Sequence, residues 1–254
     1  MLEIEPTLQR LNRINPNFNF QNWCFDRVIS EEEIPNLEYW KSLPTIEHKR
    51  HTVDLSKVIG TGHPDYPSKN WIVMLGNLKR CRSEFNYELC HDFFQNSNYS
   101  DSDFRYNKFG DIYIIQGGNH RTCIAKFIGI ETLNAKVTEH FFDFELFNLH
   151  SDIRRLNIDF QSERVGRNVA IQFNFMKNSI RIVDFQLQKD FIAFYKNIEY
   201  DYFDDLKAKW YIYTKKNDFD RIIKLKSNKD FNKVFLELYV HKFLTAKQLS
   251  IRAN

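Results

Sequence analysis

The chain lacks the features that mark a membrane or secreted protein. Its 254 residues contain no run of about 18 apolar residues, so no membrane-spanning helix is predicted. The first residues, Met1-Leu2-Glu3, do not have the basic-then-apolar layout of a signal peptide. We therefore expect a cytoplasmic protein.

Cysteine is scarce and scattered, and this excludes two further classes. The four cysteines, at positions 24, 81, 90 and 123, show neither a CxxC spacing nor the pattern of a Cys/His metal site. A disulfide scaffold and a structural zinc site are therefore not expected. Such thiols are typical of a reducing compartment. The sequence also contains no internal repeat.

Aromatic residues are abundant, and charge is unevenly distributed. The 24 phenylalanines and 12 tyrosines indicate a packed core rather than disorder. The length allows one large domain or two modest ones. Residues 206–254 hold 12 Lys and Arg against 4 Asp and Glu, whereas the rest holds 24 against 29. The basic end favours an anionic partner, with a solvated lysine-rich surface as the alternative.

One stretch combines a strand, a glycine turn and a helix. Residues 112–115 are apolar and predict a buried strand, which Gly117 and Gly118 follow as a tight turn. Asn119 is the predicted helix N-cap, and Gly129 is placed to end the helix. Four apolar residues fall on one face of this helix: Cys123, Ile124, Phe127 and Ile128.

This turn has the physical character of a phosphate site. The N-terminal end of a helix leaves backbone N–H groups unpaired and carries the positive end of the helix dipole. His120 and Arg121 add donors there, and a guanidinium can bind two phosphate oxygens at once. Cations in the first helical turn are unfavourable unless an anion compensates them. An ordinary glycine turn without a ligand is the alternative.

The motif Gly117-Gly118-Asn119-His120-Arg121 resembles the signature turn of the ParB/sulfiredoxin superfamily. Sulfiredoxins carry Gly-Gly-Cys-His-Arg at this turn. The strand expected over 131–138 and the strand expected over 53–60 are similar to those that flank the turn in the family, so the resemblance covers about residues 50–140. It implies an α+β fold with a mixed sheet and binding of ATP or CTP phosphates at the turn.

One residue departs from the sulfiredoxin branch. Position 119 is asparagine, where sulfiredoxins need a cysteine for sulfur transfer. An amide cannot act as that nucleophile, and Cys123 lies one helical turn further on. Sulfinic acid repair is therefore not expected.

The chain is predicted to have three parts. Residues 1–45 form an N-terminal helical extension, in which Ser30 opens a capping box for a helix reaching Trp40. Residues 46–150 form the ParB/sulfiredoxin-like domain. Residues 160–254 form an α+β C-terminal appendage with a hairpin over 169–183 and a helix over 185–195.

The candidate site residues follow from the turn and the resemblance. The predicted catalytic residues are His120, Arg121 and Asn119. The predicted nucleotide-binding residues are Gly117, Gly118, Asn119, His120, Arg121, Thr122, Thr61 and His63. The last two come from a predicted glycine-rich loop over 60–63, for which an ordinary turn before Pro64 is the alternative. Asp111 and Glu139 are the nearest candidates for a base or a metal ligand, with solvated strand ends as the favoured alternative. The cations Lys79, Arg80 and Arg82 could reach the phosphates, with a plain surface cluster as the alternative.

Three functions remain open for this site. The first is phosphoryl transfer or nucleotide hydrolysis with Mg²⁺, in which Arg121 neutralises charge and His120 handles a proton. The second is a nucleotide-gated module that binds DNA or RNA, although no helix-turn-helix is visible. Its cations and rings are Lys207, Lys209, Trp210, Tyr211, Tyr213, Lys215 and Lys216. The third is a ParB-like nuclease of a mobile-element or defence system, although the metal-binding carboxylate cluster that is usual for a nuclease is not evident in this sequence. A homodimer remains open as an assembly state.

Overall fold

The computed structural model describes residues 4–78, 86–95, 100, 103–166, 168–175, 178–197, 206, 210 and 222–231. The chain divides into two compact units, Met1–Asp143 and Phe144–Asn254. Residues 4–45, predicted as an extension, belong to the first unit. Within the described ranges, no helix is long and apolar enough to cross a membrane.

The first unit is built on a mixed six-stranded sheet with the order β1-β3-β5-β4-β6-β2. Its strands are β1 (Ile29–Ser30), β2 (Ile46–Asp54), β3 (Val58–Thr61), β4 (Arg105–Phe109), β5 (Ile112–Gly117) and β6 (Thr132–His140). The central strand β5 pairs with β3 in parallel and with β4 antiparallel. This places Gly117, the last residue of β5, and Gly118 after it near the end of β3 and the start of β4.

Five helices belong to the described part of this unit: α1 (Ile4–Ile14), α2 (Leu37–Trp40), α3 (Trp71–Gly76), α4 (Tyr87–Gln95) and α5 (Asn119–Ile128). A large core includes α1, α3, α4 and α5 together with the sheet. The two central strand residues Tyr113 and Ile115 lie in this core, whereas Ile114 lies in a smaller cluster with Ile34 and Phe109. This alternation is the expected two-residue period of a strand buried on both faces.

The segment after β1 corrects one expectation. Ser30 and Glu33 form the predicted capping box, but it caps only a short 3-10 helix over Glu31–Glu33. The chain then passes through Pro35, and Asn36 adopts a left-handed conformation before α2 begins. A single helix from Ser30 to Trp40 is therefore wrong, since proline restricts the residue before it to extended conformations.

The edge strand β2 contains a β-bulge. His48 pairs with Val137 and His51 pairs with Ala135, so three steps along β2 match two steps along β6. In a regular strand, residues three apart point to opposite faces. The bulge removes this difference, and the rings of His48 and His51 lie 5.2 Å apart.

The second unit has a four-stranded sheet with the order β10-β9-β8-β7. Its strands are β7 (Asp159–Val165), β8 (Asn168–Phe175), β9 (Asn178–Ile182) and β10 (Ile222–Lys224), and its helices are α6 (Phe144–Arg155) and α7 (Phe185–Lys196). The antiparallel pairing of β8 with β9 and the span of α7 confirm the predicted hairpin and helix. Phe173, Phe191 and Ile182 are fully buried in the core of this unit.

The predicted α+β class is confirmed at this level, because both units combine helices with a sheet and the first sheet is mixed. The strand β5, the helix α5 with its buried face, and the strand β6 were all expected from local periodicity. Kinship with the ParB/sulfiredoxin superfamily stays a prediction.

Candidate functional site

The turn between β5 and α5 is tighter than the sequence predicted. Gly118, and not Asn119, is the N-cap of α5, with φ 85° and ψ 25° in the left-handed region. Asn119 is the first residue of the helix. Gly118 makes no side-chain capping hydrogen bond, because glycine has no side chain. The N–H groups of the first turn therefore gain no acceptor from the N-cap residue's side chain.

Gly118 is required by a close backbone neighbour, whereas Gly117 lies against a flexible side chain. A Cβ atom on Gly118 would lie 2.6 Å from the backbone oxygen of Asp103. A Cβ atom on Gly117 would lie 2.9 Å from Nε of Arg105. Since Gly118 also has a positive φ, any other residue there would be strained and crowded together. The absence of side chains at Gly117 and Gly118 thus lets Asp103, just before β4, and Arg105, at the start of β4, lie close to the turn.

Asn119 is fixed by a residue of the neighbouring strand. The hydroxyl of Thr61 donates a hydrogen bond of 2.6 Å to Oδ1 of Asn119. Thr61 is fully buried and lies in β3, where it pairs with Ile115. Gly60 and Thr61 are therefore strand residues, which corrects the predicted loop over 60–63. Thr61 still joins the site, because β3 and β5 run in parallel and end together.

His120 belongs to a short row of rings. Its Nε2 lies 2.7 Å from the hydroxyl of Tyr66, and the two rings are 6.1 Å apart. The ring of His63 lies 5.0 Å from that of Tyr66. Tyr66 is buried and His63 is exposed. The structure thus brings both predicted histidines to the same side of the turn, with Tyr66 between them.

Arg121 forms an ion pair that the sequence did not indicate. Its Nη1 lies 2.8 Å from Oδ1 of Asp103, and its Cζ lies 5.9 Å from the centre of the Phe93 ring. The side chains are 47% and 34% exposed, so the pair is a surface pair. Such pairs contribute about 0–1 kcal/mol, which is less than a buried phosphate contact offers. The ion pair with Asp103 keeps Arg121 beside the turn, and because the pair is weak, Arg121 can exchange it for a bound anion.

Arg105 is the residue of this site that sequence reasoning missed. It is exposed, stands at the start of β4 opposite Gly117, and its guanidinium lies against that glycine. Within the described part of the chain, Arg105 forms no ion pair. The turn therefore has two guanidinium groups beside it, at Arg105 and Arg121. A predicted strand β4 would have placed Arg105 beside the turn. The sequence Arg105–Phe109 has no alternation of apolar residues that predicts such a strand.

The buried side of α5 is held by polar contacts. Thr122 is fully buried, and its hydroxyl lies 2.7 Å from that of Tyr106 on β4. Lys126 in the last turn donates hydrogen bonds of 2.6 and 3.1 Å to the carbonyl oxygens of Leu55 and Val58. Burial lowers the pKa of Lys126 to about 8. These contacts fix the helix that carries the site rather than forming part of the site.

The two predicted carboxylates lie away from the turn. Asp111 precedes β5, whose six residues at about 3.3 Å each separate it from the turn by roughly 20 Å. Glu139 on β6 is opposite Lys108 on β4, and Lys108 is opposite Tyr113 on β5. Tyr113 lies four residues before Gly117, which is roughly 13 Å along the strand. Neither can serve as a base at the turn, and Asp103 is the carboxylate that lies there.

Glu139 belongs instead to a separate polar cluster. Lys108 Nζ lies 2.7 Å from its Oε1 and His48 Nε2 lies 2.9 Å from its Oε2. The hydrogen bond from Lys108, and then that from His48, lower the pKa of Glu139. His51 lies 3.1 Å from the hydroxyl of Tyr113, and burial lowers the pKa of His51. The bulge in β2 assembles this cluster.

Several predicted residues lie outside the described residues. They are Lys79, Arg80, Arg82, Lys207, Lys209, Tyr211, Tyr213, Lys215 and Lys216. Trp210 of the predicted nucleic-acid surface is described, and its residue surface is 70% exposed.

The comparisons give no further guide to the site: no protein-family model, no curated protein and no solved structure matches the chain. Among the described side chains, no group of three or more His, Cys, Asp or Glu could hold a metal ion. The chemistry of the site therefore rests on the turn itself. In the described residues, the turn offers a helix end with a glycine N-cap, two guanidinium groups, an imidazole and a carboxylate.

Proposed function

We propose that the protein binds a nucleotide, ATP or CTP, with its phosphates at the N-terminal end of α5. The observation that carries this proposal is the pair of guanidinium groups, Arg105 and Arg121, beside a left-handed N-cap glycine that has no capping side chain of its own. A helix end of this kind favours an anion. Two guanidinium groups favour an anion with several oxygens in a planar or tetrahedral arrangement.

The neighbouring side chains have complementary tasks in this proposal. Arg105 and Arg121 neutralise phosphate charge, and Asn119 is oriented by Thr61 so that its amide NH₂ group can donate to an oxygen. His120, bonded to Tyr66, is placed on the same turn to donate or accept a proton. Exposed His63 offers a ring face for a base or ribose.

Phosphoryl transfer or nucleotide hydrolysis is the activity we propose for this site. Such reactions need mainly positioning and charge neutralisation, which Arg105 and Arg121 supply. Mg²⁺ usually binds through one or two carboxylates together with the phosphates and water. Among the described side chains, Asp103 is the carboxylate at the turn and fits that role. When bound, the metal would add positive charge beside the phosphates.

The test compares two pairs of substitutions that remove the same charge. In one variant Arg105→Gln and Arg121→Gln remove both guanidinium groups at the turn. In the control, Lys49→Gln and Arg50→Gln remove two exposed cations from β2, three strands away from β5. Affinity for ATP and CTP is measured by calorimetry on the full chain, and products are separated by ion-exchange chromatography.

We expect the turn variant to bind at least about 100-fold more weakly, because each lost charged hydrogen bond costs about 1.5–3 kcal/mol. The control should bind within about twofold of the wild type, apart from a small effect of net charge. If the wild type binds neither nucleotide, or if both variants bind equally well, the proposal fails. Binding without product would retain nucleotide binding and remove the proposed turnover.

A further inference from the structure

A cavity of about 460 Å³ lies in the second unit, at the N-terminal end of α7. It is lined by Arg181, Val183, Asp184, Leu187, Lys224, Leu225 and Lys226. Its volume falls within the range of about 300–1,000 Å³ that is usual for small-molecule sites. None of these residues takes part in the turn between β5 and α5, so the cavity requires its own explanation.

The sheet register brings the cations of this cavity together. Strands β9 and β10 pair in parallel, and Arg181 is directly opposite Lys224. Lys226 follows two residues after Lys224, lines the same cavity and is also exposed. Like charges on adjacent strands repel each other, and a bound anion between them would reduce this repulsion.

Three carboxylates lie near these cations, and each already has a partner: Glu163, Asp184 and Asp230. Arg181 pairs with Glu163 at 2.7 Å, but the Glu163 side chain is 66% exposed, so the pair is weak. Asp184 accepts the N–H of Leu187 as the N-cap of α7. In the ranges that the structure describes, neither Lys224 nor Lys226 forms an ion pair. Asp230 accepts the backbone N–H groups of Lys226 and Ser227 at 3.0 and 3.2 Å. Among the residues that line the cavity, three are therefore cations and one, Asp184, is a carboxylate.

The floor of the cavity is apolar. Leu187 is 6% exposed and Leu225 is 7% exposed, and both belong to the core of the second unit. Val183 lines the cavity as well and is exposed. Because Leu187 and Leu225 are almost fully buried, Val183, which is 37% exposed, gives most of the apolar surface that a bare inorganic ion would leave in contact with water. An organic ligand would cover it and gain about 25 cal/mol for each Å² removed from water.

We infer that this cavity binds a small organic anion, whose phosphate or carboxylate group contacts Arg181, Lys224 and Lys226 and whose apolar part lies against Val183, Leu187 and Leu225. The cations favour a ligand with a negatively charged group, and the apolar lining favours a ligand that also has an apolar part. The site is independent of the nucleotide site proposed at Arg105 and Arg121, because it lies wholly within the second unit.

The test uses phenyl phosphate and benzoate as probes on the full chain. Arg105→Gln and Arg121→Gln are present throughout, so that only the second unit is measured. Added to this background, Arg181→Gln with Lys224→Gln removes two cations of the cavity. The matched control is Lys189→Gln with Lys196→Gln, which removes two cations of α7 that pair with Glu145 and Asp152 instead. Circular dichroism checks that each variant folds.

We expect one or both probes to bind, and the cavity variant to bind at least about tenfold more weakly. The control should stay within about twofold. Comparison of the two probes separates a phosphate ligand from a carboxylate ligand. Leu225→Ala should weaken phenyl phosphate but leave inorganic phosphate unchanged.

Three outcomes would overturn the inference. The first is that neither probe binds, and the second is that the control pair loses as much affinity as the cavity pair. The third is that benzyl alcohol, which shares the ring but lacks the charge, binds as tightly as phenyl phosphate.

Discussion

The hydroxyl of Thr61 on β3 donates a 2.6 Å hydrogen bond to the side-chain oxygen of Asn119, the first residue of α5. The same hydroxyl oxygen accepts the backbone N–H of His63 at 3.0 Å. One buried side chain therefore fixes both a residue of the turn and the segment that carries the neighbouring histidine. Asn119 can present its NH₂ group away from Thr61 only because this bond holds its oxygen.

Replacement of Thr61 should consequently affect both stability and ligand binding. Thr61→Val keeps the shape but removes the hydroxyl, which leaves Asn119 Oδ1 and the His63 N–H without their partner. We expect a loss of about 1–3 kcal/mol in the free energy of unfolding, measured by urea denaturation. Nucleotide affinity should also fall. Thr61→Ser should restore most of both, and equal losses in the two variants would show that the hydroxyl is not the cause.

The two ends of α5 provide a matched test of the glycine turn. Gly118 and Gly129 have nearly the same φ, 85° and 86°, but an added methyl group would meet neighbouring atoms within 4 Å only at Gly118. Gly129→Ala should cost about 1–2 kcal/mol from the left-handed backbone alone. Gly118→Ala should cost more, because the methyl group meets the oxygen of Asp103, and it should also abolish nucleotide binding. Thermal unfolding and calorimetry check the two parts, and equal costs would contradict the crowding at Gly118.

Asp103 is expected to oppose binding unless a metal is present. Its carboxylate pairs with Arg121 at 2.8 Å, so it competes with a phosphate for that guanidinium. The negative carboxylate also repels the negative phosphate. Without Mg²⁺, Asp103→Asn should tighten ATP or CTP binding by a few-fold to about tenfold. With Mg²⁺, the gain should shrink or reverse. Calorimetry in EDTA and in Mg²⁺ separates these conditions, and an unchanged affinity in EDTA would contradict the role of the pair.

Lys126 should make stability rise with pH. Burial lowers its pKa from 10.5 to about 8 in the folded chain. Between these values the unfolded chain binds the proton and the folded chain does not, so the free energy of unfolding increases with pH. From pH 8 to above pH 10.5 the free energy of unfolding rises by at most about 3 kcal/mol, and below pH 8 it does not change through Lys126. The neutral amine keeps N–H groups, so its hydrogen bonds to Leu55 and Val58 can persist across this window.

The measurement is urea denaturation of the wild type and Lys126→Met at several pH values from 7 to 10. The difference between the two proteins should grow in favour of the wild type as pH rises. Lys136→Met is the control, because the Lys136 side chain is 39% exposed and pairs with Glu47 at the surface. A pH-independent difference for Lys126→Met would show that this lysine is not protonated more weakly in the folded chain.

The sequence predicted the centre of the first unit because its signals there are local. The apolar run of β5, the helical spacing of Cys123 and Phe127, and Gly129 at the helix end all act within a few residues. The N-cap was assigned to Asn119 because asparagine favours that position. The structure places Gly118 there instead, since Asn119 finds a better partner in Thr61, 58 positions earlier in the chain.

The remaining features of the site depend on contacts between distant segments. Arg105 and Asp103 reach the turn only through the pairing of β4 with β5, and the sequence Arg105–Phe109 shows no alternation that would predict a strand. The bulge that unites His48 with His51 depends on the register with β6. Local periodicity could not indicate either, because both are set by strand pairing.

A crystal structure of the full chain soaked in ATP or CTP with Mg²⁺ tests the central claim most directly. The account predicts phosphate density against the backbone N–H groups at the start of α5, within hydrogen-bonding distance of Arg105 and Arg121. Nucleotide bound elsewhere, with this turn unchanged and Arg121 still paired only with Asp103, would contradict it.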